Sequence, residues 1–233
     1  MRASSRMEGL GLSPIRAIQA GSPEGSVSLG LGEPSWSLPE PGRRALAASA
    51  SSPGPCSYGP NAGLEELRAA IASRERSALG ETMVSAGSEG ALFALIMAYA
   101  GPGDEVLAPD PGYLAYPAIA RLAGARVRPY RLGEDFGLDP ERFAAALASS
   151  PQAKIAVINN PSNPTGGGAS IEALAEVARL CDRRDILLVS DEVYRELYLG
   201  ERQPSLREVT DRGVVTSSMV SPYVTVYRNT TRV

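Results

Sequence analysis

Three short stretches of the chain put chemistry-bearing residues where strands give way to turns. In SAGSEGALF, Ser85 to Phe93, a short β-prone segment runs through Gly87 into an apolar helix. A helix start presents unpaired backbone N–H groups and the positive end of the dipole, so it can cradle a phosphate without a charged side chain. A Gly-Ser turn alone also reads as a plain turn. In NNPSNPTGG, Asn159 to Gly167, two Asn-Pro pairs and two glycines directly follow an apolar run. These are turn residues first, yet Asn163 also carries an amide that can donate to a ligand oxygen at a sheet edge. In LLVSDEVYREL, Leu187 to Leu197, an apolar strand ends in Ser190, Asp191 and Glu192, with Tyr194 three residues after Asp191. Such acids are either a solvated turn or the partner of a cationic ligand nitrogen, because a carboxylate beside a ring nitrogen favours its protonated form.

Two shortages narrow the chemistry further. The chain has no histidine, which removes Ser-His-Asp and Cys-His triads, His-ligated zinc and a histidine base. Its only lysine is Lys154, and the remaining cations are arginines, which do not readily give up a proton. A metal site is therefore not expected. Cys56 and Cys181 are far apart in sequence and read as idle thiols rather than a disulfide framework.

The elements that position these stretches follow from periodicity. From Leu64 onward, helical and strand-like segments alternate: a helix over 64–75, a strand over 82–86, an apolar helix over 90–100 and a strand over 104–110. After a helix to about Ala123 come a strand over 125–130, a helix opened by Asp139 and Pro140, and a strand over 154–160. A helix over 170–184 and strands over 185–192 and 213–218 complete the series. Continuous apolar strands separated by amphipathic helices predict an α/β fold with a mostly parallel sheet covered on both faces, and ligands in such sheets sit beyond the carboxyl ends of the strands. Residues 1–60 differ in kind, being rich in Gly, Pro and Ser, and read as an arm.

At 233 residues with 43% hydrophobic and 21% charged content, the chain can fill a core. A net charge of -3 with scattered arginines disfavours nucleic acid. The longest apolar run, ALFALIMAYA, is too short to span a bilayer and no signal-peptide pattern opens the chain, so a cytoplasmic protein without membrane contact is expected.

Taken in order and spacing, the three stretches resemble the large domain of the fold type I pyridoxal-phosphate enzymes, in particular the class I/II aminotransferases of the aspartate aminotransferase superfamily. The resemblance runs from Leu29 to about Met219 and includes LGLGEPSW, YGPNAGLEELRAAIA and AGPGDEVLAPDPGYLAYPAIARLAGA. It implies a protein that holds pyridoxal 5'-phosphate and moves an amino group from an amino acid to a 2-oxo acid, usually as a homodimer. By the same resemblance, Ser88 and Glu89 offer backbone N–H groups to the cofactor phosphate, and Tyr113 stacks on the pyridine ring. Asn163 and Tyr194 hydrogen-bond its phenolic oxygen, and Asp191 pairs with the ring nitrogen. Tyr58 reaches the phosphate of a neighbouring subunit, and Gly32 lies where the N-terminal segment closes over substrate.

The resemblance stops at its most consequential position. The family's Schiff-base lysine follows the strand that corresponds to GVVTSS, and here the sequence continues Met219, Val220, Ser221, Pro222. No catalytic residue is assigned on that account. The expected layout is an arm and substrate-covering segment over 1–60, a cofactor-binding large domain over 61–219 and a tail over 220–233 unlike the family. The C-terminal small domain, with its substrate-carboxylate arginine, is expected to be missing. The expectation is a truncated aminotransferase with little activity alone; the alternative is a noncatalytic cofactor-binding or scaffold pseudoenzyme.

Overall fold

The computed structural model describes residues 4–8, 10–11, 13–27, 30, 37–54 and 57–218, and the backbone of 224–227. The chain divides into two compact units, Gly9–Gly59 and a larger one formed by Met1–Glu8 with Pro60–Val233. In the smaller unit, the stretch read as an arm carries two helices, α1 (Pro14–Ala20) and α2 (Glu40–Ala50). Neither helix buries a residue. α2 forms because ALAASA strings together strong helix formers and Pro41 stands in its first turn, where a missing N–H costs nothing.

The larger unit is an α/β layer structure. Its elements are α3 (Glu65–Glu75), β1 (Thr82–Met83), α4 (Gly87–Tyr99), β2 (Glu105–Asp110), α5 (Ala115–Ala123) and β3 (Arg126–Arg131). There follow α6 (Pro140–Ala148), β4 (Ala153–Asn159), α7 (Ile171–Asp182), β5 (Leu187–Asp191), β6 (Val214–Ser217) and β7 (Val224–Tyr227). The helix starts obey local chemistry: Asp139 accepts from the N–H groups of Glu141 and Arg142 to open α6, and Ser170 accepts from Ala173 N–H to open α7. α5 ends on Gly124 at φ 83°, the left-handed stop that glycine supplies without steric cost.

Seven strands form one sheet in the order β1-β7-β6-β5-β4-β2-β3. β3, β2, β4, β5 and β6 pair in parallel, and β7 runs antiparallel to both of its neighbours. The mostly parallel sheet agrees with the sequence reading, and β4 shows why it was legible. Ile155 and Val157 point to one face, against α4 and α5 residues such as Leu92, Ile96 and Ile119. Ala156 and Ile158 point to the other, against Phe143, Leu174 and Val177 of α6 and α7. A strand buried on both faces must be apolar at every step, hence its unbroken run.

Three boundaries differ from expectation. The strand read over 82–86 is only two residues long, and α4 starts at Gly87 rather than Gly90. The sequence reading ends its strands at Ser218, whereas Val224–Tyr227 enters the sheet between β1 and β6. VTVY is β-branched and aromatic, and a strand placed there satisfies backbone groups on two edges at once. Among the described residues no helix is long and apolar enough to cross a membrane.

Candidate functional site

The register of the central strands assembles the site. Asn159 at the end of β4 pairs with Asp191 at the end of β5, and Asp191 pairs with Thr216 in β6. Three polar side chains thereby stand in one row at the carboxyl edge, the position where parallel sheets bind ligands. Asp191 is 5% exposed, yet its carboxylate is fully engaged. Tyr116 of α5 donates to Oδ2 at 2.8 Å and Thr216 donates to Oδ1 at 3.3 Å. Burial pushes the Asp191 pKa up to about 6, against the pull of the Tyr116 hydroxyl, the Val193 N–H and the Thr216 hydroxyl, while the Glu192 charge adds to the rise.

Asn159 ties this carboxylate to the neighbouring loop. Its Nδ2 donates to the Asp191 carbonyl at 2.8 Å, and its Oδ1 accepts from the Asn163 N–H at 2.6 Å. Asn163 in turn donates from Nδ2 to the Tyr194 oxygen at 3.2 Å. The amide and the phenol that the sequence singled out therefore meet, in an arrangement whose remaining protons can converge on one acceptor.

The aromatic wall comes from the turn after β2. A side chain at Gly112 would place its Cβ 2.3 Å from the Pro109 carbonyl oxygen, so only glycine lets the backbone fold back this tightly before Tyr113. The half-buried Tyr113 ring meets Tyr116 edge-on, centroids 5.6 Å apart at 85°. Its hydroxyl donates to Glu89 Oε2 at 3.1 Å. Burial, then the Glu89 carboxylate, raise the Tyr113 pKa to about 12, with smaller contributions from Tyr194 and Asp191. The Glu89 contact and the edge-on Tyr116, itself bound to Asp191, link the Tyr113 ring to the start of α4 and to the carboxylate.

Ser88 and Glu89 occupy the first turn of α4. That turn opens at Gly87, φ 75°, and Ala86 at the N-cap supplies no side-chain acceptor. The Gly87 N–H goes to the Ser85 carbonyl at 2.9 Å, and the Ala86 side chain takes none of the N–H groups that follow, which leaves that turn suited to an anion. Tyr58 lies in the Gly9–Gly59 unit with its side chain fully exposed, and Gly32 lies outside the described residues. Lys154 is exposed at the second position of β4, five residues before Asn159 and therefore about 16 Å away along the strand, at the opposite edge of the sheet.

Sequence reasoning missed Tyr116, Asn159 and Thr216. Thr216 left a signal, a polar residue inside an otherwise apolar strand. Asn159 stands inside NNPSNPTGG, where the expected ligand contact falls on Asn163. Tyr116 left none, because a buried tyrosine on a helix is ordinarily core.

Comparison with known proteins accords with this geometry. The family model described as aminotransferase class I and II matches residues 25–222. The aspartate/prephenate aminotransferase of Thermus thermophilus is 41% identical over 188 residues, 75% of this chain and 47% of the relative. The aspartate aminotransferase of Bacillus subtilis is 33% identical over 227 residues, 91% of this chain and 57% of the relative. Among solved structures, a single-mutant Thermus thermophilus aspartate aminotransferase superposes with TM-score 0.84 at 32% identity, covering 98% of this chain and 65% of that one. An aminotransferase from Mycobacterium tuberculosis gives TM-score 0.87 at 28% identity, covering 99% and 66%. The chain spans about half the length of the curated relatives it matches. With a carboxylate, an amide–phenol pair, an aromatic wall and an uncapped helix start at one sheet edge, and a family match over most of its length, the chain belongs to the class I and II aminotransferases.

Proposed function

We propose that this chain is the cofactor-holding large domain of an aminotransferase, seating pyridoxal 5'-phosphate for the movement of an amino group from an amino acid to a 2-oxo acid. The observation that carries the reading is the Asp191 carboxylate. It is buried and braced by two neutral hydroxyls, and it stands beside the converging Asn163 and Tyr194 donors.

The donor set fits the group. Asp191 is an anionic acceptor suited to a protonated ring nitrogen, Asn163 and Tyr194 are donors suited to a phenolic oxygen, and Tyr113 offers a ring face. The first turn of α4, at Ser88 and Glu89, offers N–H groups to a phosphate. When bound, pyridoxal phosphate supplies an electron sink for charge developing at the substrate Cα. The work of this chain is to keep the Asp191 charge in place, so that the ring nitrogen stays protonated. Tyr116 and Thr216 hold that carboxylate in one orientation, and Asn159 keeps the Asn163 loop in register with it.

Within these 233 residues the one lysine, Lys154, stands at the wrong edge of the sheet to link to the group. The chain accordingly holds the cofactor noncovalently and transfers amino groups weakly at most, since losing a general base costs roughly 10²- to 10⁴-fold. A cytoplasmic homodimer in which Tyr58 serves the neighbouring subunit is the assembly this reading expects.

Titration with pyridoxal phosphate, followed by borohydride reduction and intact mass, tests the proposal. Saturable binding with no mass increase is the expected result, with affinity falling about ten- to a hundredfold in Asp191→Ala as a charge-assisted contact is lost. A reducible adduct on Lys154 would overturn the noncovalent mode. Binding unchanged in Asp191→Ala would overturn the site.

A further inference from the structure

The turn that carries Tyr194 rests on charges buried beneath it. Arg195 is 4% exposed, rare for an arginine. Its Nη1 lies 2.6 Å from Glu192 Oε2 and its Nη2 lies 2.5 Å from Glu75 Oε2 at the end of α3, 120 positions away in sequence. Its Nε faces Glu196 at 3.4 Å. The other oxygen of Glu192 accepts from Ser190 Oγ at 2.9 Å and from the Leu206 N–H at 2.8 Å. Burial alone would lower the Arg195 pKa, but Glu192 and Glu75 outweigh it and hold it above its ordinary value.

Such a cluster is a poor way to gain stability, because desolvating three charges offsets most of their attraction. It is a good way to fix geometry, because a planar guanidinium forked between two carboxylates has one orientation. Tyr194, next in sequence, is 37% exposed, and its phenol meets Asn163. Two backbone bonds, Arg195 N–H to the Glu192 carbonyl and Leu197 N–H to the Tyr194 carbonyl, shape the turn locally. Neither connects it to the rest of the fold; the Arg195–Glu75 pair does, together with the Glu192 N–H on the Thr216 carbonyl at 2.8 Å, the Leu206 N–H on Glu192 and the Arg74–Glu196 pair at 3.9 Å.

We propose that the Glu75–Arg195–Glu192 cluster is a positioning device for Tyr194, holding its phenol against Asn163 so that both donate to the same ligand oxygen. This rests on the reading that Asn163 and Tyr194 hold the cofactor's phenolic oxygen. Arg195 and Glu75 are positioning residues, acting through Tyr194 without touching the ligand.

A double-mutant cycle of Glu75→Gln and Tyr194→Phe tests it, with pyridoxal phosphate affinity and urea stability measured on each variant. Glu75→Gln weakens cofactor affinity on the order of three- to tenfold, the size of one misplaced hydrogen bond. In the Tyr194→Phe background the same change has no further effect on affinity, although it lowers stability equally in both backgrounds. An affinity loss that persists undiminished in Tyr194→Phe would overturn the proposal and leave a purely structural cluster, as would no loss at all. A second arm needs no cofactor: the Asn163 side-chain amide resonances, assigned by an Asn163 variant, shift in Glu75→Gln as they do in Tyr194→Phe. Unmoved resonances would overturn the positioning role. If the unmodified protein fails to bind pyridoxal phosphate, the functional reading falls while this second arm still decides the device.

Discussion

Replacing Asp191 by Asn separates the stability of this fold from its binding function. The carboxyl titrates near pH 6 in the fold and near its ordinary 3.8 when unfolded, so at neutral pH the folded state carries a charge that burial disfavours. A displacement of about two pH units corresponds to roughly 3 kcal/mol, at about 1.4 kcal/mol per unit. Because the folded pKa is the higher one, the fold gains stability as pH falls from above 6 towards 4, and loses it as pH rises through 6. Asparagine keeps the size of the side chain and can still accept from Tyr116, but it carries no charge. Asp191→Asn is therefore expected to unfold at higher urea than the parent at pH 7.5, by on the order of 3 kcal/mol, and by only about 1 kcal/mol at pH 4.5. The same variant loses pyridoxal phosphate affinity about ten- to a hundredfold at pH 7.5. Urea unfolding at the two pH values and a cofactor titration at the higher one measure all three quantities. A variant no more stable than the parent at pH 7.5, or one whose advantage is the same at both pH values, would refute the account of Asp191 as a buried charge kept at a cost for binding.

Tyr116→Phe removes only the hydroxyl that donates to Asp191 and is expected to cost about 1–3 kcal/mol at pH 7.5 and less at pH 4.5, where the carboxyl is already protonated; urea midpoints at both pH values check it. The same substitution raises the Asp191 titration midpoint, observable by carboxyl-carbon NMR. Gly112→Ala drives a Cβ into the Pro109 carbonyl and should lower stability by about 1–3 kcal/mol while weakening cofactor binding through Tyr113, as thermal unfolding and titration would show. Leu174→Ala, at a fully buried position between α7 and the sheet, should cost about 2–5 kcal/mol by calorimetry and leave the pH dependence attributed to Asp191 unchanged.

The alternation of strand and helix, the parallel sheet and the three stretches that hold Ser88, Glu89, Asn163, Asp191 and Tyr194 are legible along the chain. Each of those signals is local. Hydrophobic period, a cap such as Asp139, and turn residues such as Gly112 and Pro164 act over a few positions and are written out in order. The absence of histidine and the single lysine, Lys154, are likewise legible along the chain. Which side chains meet across the sheet is set by folding in three dimensions. Asp191 is braced by Tyr116, 75 positions away, and by Thr216, 25 positions away, because strand register and the face of α5 bring them together. Arg195 finds Glu75 across 120 positions. Val224–Tyr227 becomes a strand because β1 and β6 leave a gap that backbone pairing fills. Pairing of this kind depends on chain segments that share no neighbourhood in sequence, and a buried tyrosine, threonine or arginine looks the same along the chain whether it supports the core or a site.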